Sequence, residues 1–235
     1  TCWPHRSDNP WLIARANMPL DQKRKEKLSI SCSVPAAHII SAPDVDSIYE
    51  IPINFEREGL GRKILKKFGL RVRSTDLADW RRLGRTIAKV SRPVRIGIVG
   101  KYFSTGHFTL ADSYLSVIEA LKHACWGQGA KPVLEWLNAE EYERSPSKLK
   151  ELSNYDGILV PGGFGGRGVE GKIAAIRYAR EKKIPYFGLC YGMQLATIEF
   201  ARHVAGMKKA NTQEVDPETP YPVILRGTPL APAHL

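Results

Sequence analysis

Two stretches of this sequence carry residue types suited to covalent chemistry, and both are framed by glycine. Gly188-Leu189-Cys190-Tyr191-Gly192 sets a thiol between two residues without side chains. Pro161-Gly162-Gly163-Phe164-Gly165-Gly166 is a turn whose backbone N–H groups can face a ligand with no Cβ in the way. Acyl transfer from a carbonyl needs a nucleophile, a base, and donors for the oxyanion that forms. Cys190 is the candidate nucleophile, the N–H of Tyr191 one donor, and Gly163 the second. Stripped of its flanks, the pentapeptide also reads as a structural cysteine between packing glycines, and the glycine-rich turn as an ordinary turn or phosphate loop.

The base is harder to find. The histidines stand at 5, 38, 107, 123, 203 and 234, and none forms a His-x-Glu or His-x-Asp pair beyond Gly192. His203 falls about two and a half helical turns beyond the start of the helix that follows the cysteine, pointing away from the thiol. His234 is next to the last residue. Either the base lies outside this chain or the chain does not turn over. Gly97-Ile98-Val99-Gly100-Lys101 has neither the Ser/Thr nor the spacing of a phosphate-binding P-loop, and is read as strand.

The flanks decide how the cysteine is held. Residues 184–187 are apolar and aromatic, which predicts a buried strand. Residues 193–206 predict a helix with an inward face at 195, 198 and 204 and a closing Gly206. Strand, Gly-x-Cys-x-Gly and helix make a nucleophile elbow, and the N–H groups opening the helix favour the thiolate. Upstream, Val94 to Gly100, Lys131 to Leu137 and Asp156 to Val160 are further strand candidates. Between them come a helix opened by a capping box at 109–112, with apolar positions 110, 114, 118, 121 and 125, and a short helix over 146–152. A helix over 170–183, facing inward at Ile173, Ile176 and Ala179, then leads to the elbow strand. This alternation predicts an α/β fold: an open, mostly parallel sheet with helices on both faces and the site at the strands' carboxyl ends.

The first part has a different texture. A short basic helix is expected over 23–32, a strand over 38–42, a turn over 43–47, and helices over 52–58 and 62–68 closed by Gly59 and Gly69. Residues 1–22 show no period. The predicted division is 1–70, a linker carrying a helix over 71–92, and 93–235. The excess charge is uneven: residues 1–95 hold 19 Lys or Arg and 10 Asp or Glu, the remainder 16 and 14. That suggests a polyanionic partner such as a nucleotide triphosphate, although solvated helix faces would look the same. Aromatic residues do not interleave with the bases, so nucleic acid is the weaker partner. No apolar run approaches a membrane span. The cysteines at 2, 32, 125 and 190 are too scattered for a disulfide framework or a thiolate zinc site, and no metal site is expected; the pattern fits a reducing cytoplasm.

Together these motifs resemble the CTP synthase family. Val160 to Gly165, Arg167-Gly168-Val169-Glu170-Gly171-Lys172-Ile173 and Gly188 to Gln194 resemble its class I glutamine amidotransferase domain. So do Gly100-Lys101-Tyr102 and residues 113–121. Arg6 to Pro10, Lys25-Glu26-Lys27 and Asp44 to Pro52 resemble the end of its synthetase domain, so a partial α/β synthetase domain is expected to precede the amidotransferase fold. The resemblance implies ATP-dependent amination of UTP with Mg²⁺, using ammonia released from glutamine at Cys190. It implies an oxyanion and glutamine site at Gly163, Tyr191, Gly192, Met193, Gln194 and Glu214, the last facing the α-ammonium. Lys27 would contact UTP or CTP, and Pro43, Asp44 and Val45 the ATP adenine. Activation by GTP near Asp112, Phe164 and Arg167 and a homotetramer are also implied. Departures accompany the likeness: Tyr191 replaces a usual Leu, and Asn211-Thr212-Gln213-Glu214-Val215-Asp216 varies the family's Asn-Ser-Thr-Glu-Phe-Asp. The family's phosphate loop and metal carboxylates are expected upstream of Thr1, and its catalytic His and Glu beyond Leu235, so the chain reads as a fragment. Alternatives on the same fold are a free-standing glutaminase, a cysteine peptidase, or a non-catalytic assembly module; a basic RNA-binding role comes last.

Overall fold

The computed structural model describes residues 11–72, 75–100, 114–163 and 165–225. The chain divides into two compact units, Thr1–Lys89 and Val90–Leu235.

In the first unit β1 (Leu12–Ala16) pairs in parallel with β2 (Ile39–Pro43), Leu12 opposite Ile39 and Ala16 opposite Pro43. Between them runs α1 (Gln22–Cys32), whose N-cap Asp21 accepts from the Arg24 N–H and satisfies one orphan donor of the first turn. Helices α2 (Ile51–Arg57) and α3 (Leu60–Lys67) follow, separated by Gly59 at φ 67°. Lys25 Nζ ties α1 to the end of α2 through Glu58 at 2.7 Å, in a half-buried setting. Helix α4 (Ala78–Lys89) also belongs to this unit, where Trp80 stacks on Tyr49 with ring centroids 6.1 Å apart. Ile39, Ile40 and Ser41 are buried. Cys32 is disulfide-bonded, a pairing that the wide spacing of the cysteines did not lead us to expect. Residues 1–10, including the Arg6 to Pro10 match, lie outside the described residues.

The second unit is the expected α/β sheet. Its elements are β3 (Pro93–Gly100), α5 (Leu115–Gly127), β4 (Lys131–Asn138), α6 (Ala139–Arg144), a 3₁₀ segment (Pro146–Asn154), β5 (Gly157–Val160) and α7 (Val169–Lys182). After these come β6 (Tyr186–Gly188), α8 (Tyr191–His203), β7 (Asn211–Thr212) and β8 (Pro222–Ile224). Four parallel strands lie in the order β4-β3-β5-β6. Successive residues of a strand face opposite sides, and the core divides accordingly. Val99, Ile158 and Val160 pack with Ile173, Ile176 and Ala179 of α7 and Leu195 and Ile198 of α8. Ile98 and Leu159 pack on the other face with Val117 and Leu121 of α5. Gly97 and Gly100 are strand residues of β3.

Three expectations need correction. Phe187 was read as part of a buried strand but is 60% exposed, because β6 is the outer strand of the described sheet. Val204 was read as facing inward but is 49% exposed, because α8 ends at His203 and Val204 is its C-cap. The helix expected over 146–152 is a 3₁₀ segment. The capping box at 109–112 lies outside the described residues.

Candidate functional site

The elbow is built by close packing that only glycine permits. A Cβ on Gly192 would stand 2.1 Å from the Val160 carbonyl oxygen, and one on Gly188 would stand 2.6 Å from the Gly192 carbonyl carbon. The first turn of α8 therefore lies directly against the ends of β5 and β6. Tyr186 Oη donates to the Gly192 carbonyl at 2.7 Å, and the Leu189 N–H donates to the Val160 carbonyl at 3.0 Å. Between these anchors Cys190 takes φ 50° and ψ −104°, a strained conformation for a residue with a side chain. Its thiol is exposed, in contrast to the buried Cys125, whose thiol burial pushes above the usual range.

The glycine-rich turn faces this thiol. Val160 and Gly188 are register partners, so the 161–166 corner and Cys190 leave the sheet at the same carboxyl edge. A Cβ on Gly162 would be 3.5 Å from Cys190 Cβ. The corner is fixed from two sides: the Gly165 N–H donates to Glu214 Oε1 at 3.1 Å, and Tyr191 Oη donates to the Gly165 carbonyl at 3.2 Å. Gln194 is half-buried and Met193 exposed, both in the first turn of α8, with the Gln194 N–H donating to the Cys190 carbonyl at 3.2 Å. Glu214 follows β7, held by its N–H on Thr212 Oγ1 at 3.2 Å. The structure thus gathers Cys190, Tyr191, Gly192, Gly163 and Glu214 at one edge. A thiol on a strained elbow beside backbone donors is an arrangement for adding sulfur to a carbonyl carbon.

Other candidates sit elsewhere. Arg167 pairs with Glu140 at 3.0 Å and is mostly exposed, while Asp112 and Phe164 lie outside the described residues. Lys27 is exposed on α1. Asp44, at the end of β2, pairs with Arg15 at 2.8 Å, flanked by half-buried Pro43 and Val45. Among the described histidines, His203 holds its Nδ1 3.0 Å from the Glu199 carbonyl on α8; His123 lies by Trp126 and His38 by Trp11. None of these contacts involves the elbow. Among the described residues no group of three or more His, Cys, Asp or Glu could hold a metal ion, so they do not fit Mg²⁺.

Sequence reasoning missed Lys172 and the Tyr191 side chain. Lys172 is 2% exposed, its Nζ 5.5 Å from the Tyr191 ring centroid and 3.9 Å from where a Gly163 Cβ would sit. One signal was available: 172 shares a helical face with Ile173, Ile176 and Ala179, so a lysine stands at an inward register position.

Comparison with known proteins gives the following. The family profile described as Glutamine amidotransferase class-I matches residues 109–222, and the one described as CTP synthase N-terminus matches residues 8–70. A protein of Thermococcus gammatolerans named CTP synthase is 47% identical over 213 residues, covering 91% of this chain and 39% of that protein. One of Bacillus licheniformis with the same name is 43% identical over 214 residues, again 91% of this chain and 39% of the relative. This chain therefore spans about two-fifths of the length of these relatives. A solved structure described as Trypanosoma brucei CTPS, glutaminase domain with bound acivicin, superposes with a TM-score of 0.51 at 40% identity, covering 56% of this chain and 49% of that one.

Proposed function

Because this chain belongs to the CTP synthase family, we propose that its second unit is the glutamine-hydrolysing part of an enzyme that aminates UTP to CTP with ATP. The observation that carries this reading is Cys190, strained and exposed on its elbow, with Gly162 packed against it from the neighbouring strand end. The Cys190 thiolate attacks the γ-carboxamide carbon of glutamine, and the carbonyl π electrons move onto oxygen, held by the N–H groups of Gly163 and Tyr191. Collapse of that adduct expels ammonia, its nitrogen taking the proton that the Cys190 thiol had given to a base outside the described residues, and leaves a γ-glutamyl thioester. Water then cleaves the thioester to glutamate. Gln194 and Glu214 orient the amino-acid end of glutamine, Glu214 through its carboxylate. Gly192 and Met193 complete the pocket wall.

In the same reading the first unit is part of the nucleotide-binding half. Lys27 meets UTP or CTP, and Pro43, Asp44 and Val45 meet the ATP adenine. GTP acts beside the glutaminase site, where Arg167 is the described candidate. Mg²⁺ is held by residues other than those described, and the working enzyme is a cytoplasmic homotetramer. No helix among the described residues is long and apolar enough to cross a membrane. A free-standing glutaminase is the runner-up, disfavoured because residues 8–70 match a CTP synthase profile for which it has no use.

Acivicin, the compound bound in the Trypanosoma brucei glutaminase domain, provides the test. The chain, joined to the C-terminal segment of the Thermococcus gammatolerans relative, is treated with acivicin and digested, and the adduct is located by mass spectrometry. The adduct is expected on Cys190 and absent after Cys190→Ser. Equal labelling of the serine variant, or modification of Cys125 instead, overturns the reading.

A further inference from the structure

The position after the nucleophile contributes a backbone N–H to the proposed oxyanion site, a role any side chain permits. Here it carries a tyrosine that is 2% exposed, and its side chain does not merely fill space. The hydroxyl reaches across to the neighbouring strand end and donates to the Gly165 carbonyl at 3.2 Å. The other polar group of Gly165, its N–H, is held by Glu214 Oε1 at 3.1 Å. Gly165 has φ 74°, so the corner bends sharply where both of its backbone groups are clamped. The Tyr191 ring is itself fixed by Lys172 from α7, whose ammonium stands 5.5 Å from the ring centroid and beside Gly163.

We propose that the Tyr191 side chain is a positioning residue that fixes the 161–166 corner relative to Cys190. One residue then supplies an oxyanion donor through its backbone and sets the place of the second donor, Gly163, through its hydroxyl. The inference rests on the reading of Cys190 as an amide-cleaving nucleophile. Burial first, then the charges of Glu214 and Glu170, push the Tyr191 hydroxyl up to about 12, so it remains a donor through the neutral range. The role differs from generic packing, because a phenylalanine keeps the ring, its burial and the contact with Lys172 while losing only the latch.

The test compares two reactions of the same thiol. Glutamate γ-semialdehyde adds reversibly: the S–C bond forms as the aldehyde π pair moves to oxygen, which then takes a proton, so the adduct needs the oxyanion donors. Iodoacetamide alkylates sulfur with loss of iodide and needs none. For Tyr191→Phe we expect about fivefold weaker aldehyde binding, the loss of one hydrogen bond's worth of positioning. We also expect an unchanged iodoacetamide rate and several-fold faster hydrogen exchange in the peptide spanning 161–168. Aldehyde affinity in Tyr191→Phe equal to that of the parent, or an equal loss in both reactions, overturns the latch while leaving the nucleophile intact. Failure of the parent chain to bind the aldehyde, or binding that survives Cys190→Ser, overturns the nucleophile reading and the latch with it.

Discussion

Gly192→Ala tests how the elbow is built. The added methyl would lie 2.1 Å from the Val160 carbonyl oxygen, 2.9 Å from its carbonyl carbon and 3.1 Å from its Cβ. Carbon–oxygen contacts of this kind settle at about 3.3 Å, so the overlap exceeds an ångström. Neither side can give way cheaply. Val160 is fully buried in β5, and Gly192 lies in the first turn of α8, whose Leu195 and Ile198 are also fully buried. Overpacking of this sort costs about 1–3 kcal/mol, and with backbone on both sides we expect the upper end, about 3 kcal/mol. For a unit of this size that lowers the melting temperature by roughly 10 °C. The assay is calorimetry with urea titration, beside the rate at which iodoacetamide alkylates Cys190. Gly127→Ala serves as the control, since its Cβ would meet nothing within 4 Å. Its stability should stay within about 0.5 kcal/mol of the parent. A Gly192→Ala chain as stable as the control, with Cys190 alkylated at the parental rate, would refute the packing account of the elbow.

Further outcomes are expected elsewhere. Arg180→Ala removes the two-pronged partner (Nε at 3.0 Å, Nη2 at 2.8 Å) of Glu199, which is 1% exposed. It should cost about 2 kcal/mol in chemical denaturation, less than a fully buried pair because Arg180 reaches solvent and His203 remains beside the carboxylate; a loss no larger than that of Arg177→Ala would contradict this. Gly84→Ala, mid-helix in α4 with open space around the new methyl, should stabilise the first unit by about 1 kcal/mol, read as a higher melting temperature. Burial pushes Tyr155 and Tyr191 up to about 12, and Tyr142 and Tyr186 higher still, from an ordinary value of 10.0. The unfolded chain therefore loses these protons first. Stability is retained below about pH 10 and falls as pH rises through 12, so urea midpoints should drop across that window with phenolate absorbance appearing alongside unfolding.

Much of the second unit was legible because its strands are β-branched runs and its longer helices keep an apolar period. Ile173, Ile176 and Ala179 face inward as that period requires. Short elements escaped for the complementary reason. β1 is five residues whose partner lies far along the chain, and α6 is six residues opened by an Asn138 cap, too few for a period to show. β7 and β8 are shorter still. Exposure was misjudged where position in the sheet, rather than residue type, decides it: Phe187 is apolar, yet β6 has a neighbour on one side among the described strands. At the site, glycine spacing located the elbow and the facing corner, because both need backbone that no side chain allows. The contacts of Tyr191, Lys172 and Glu214 with that corner depend on tertiary geometry that spacing does not encode.

The most direct measurement is a crystal structure of the chain after reaction with glutamate γ-semialdehyde. The sulfur of Cys190 should be bonded to the former aldehyde carbon, with the new oxygen about 2.7–3.1 Å from the backbone nitrogens of both Gly163 and Tyr191. An adduct whose oxygen points to solvent, or a chain modified anywhere but Cys190, would contradict the account.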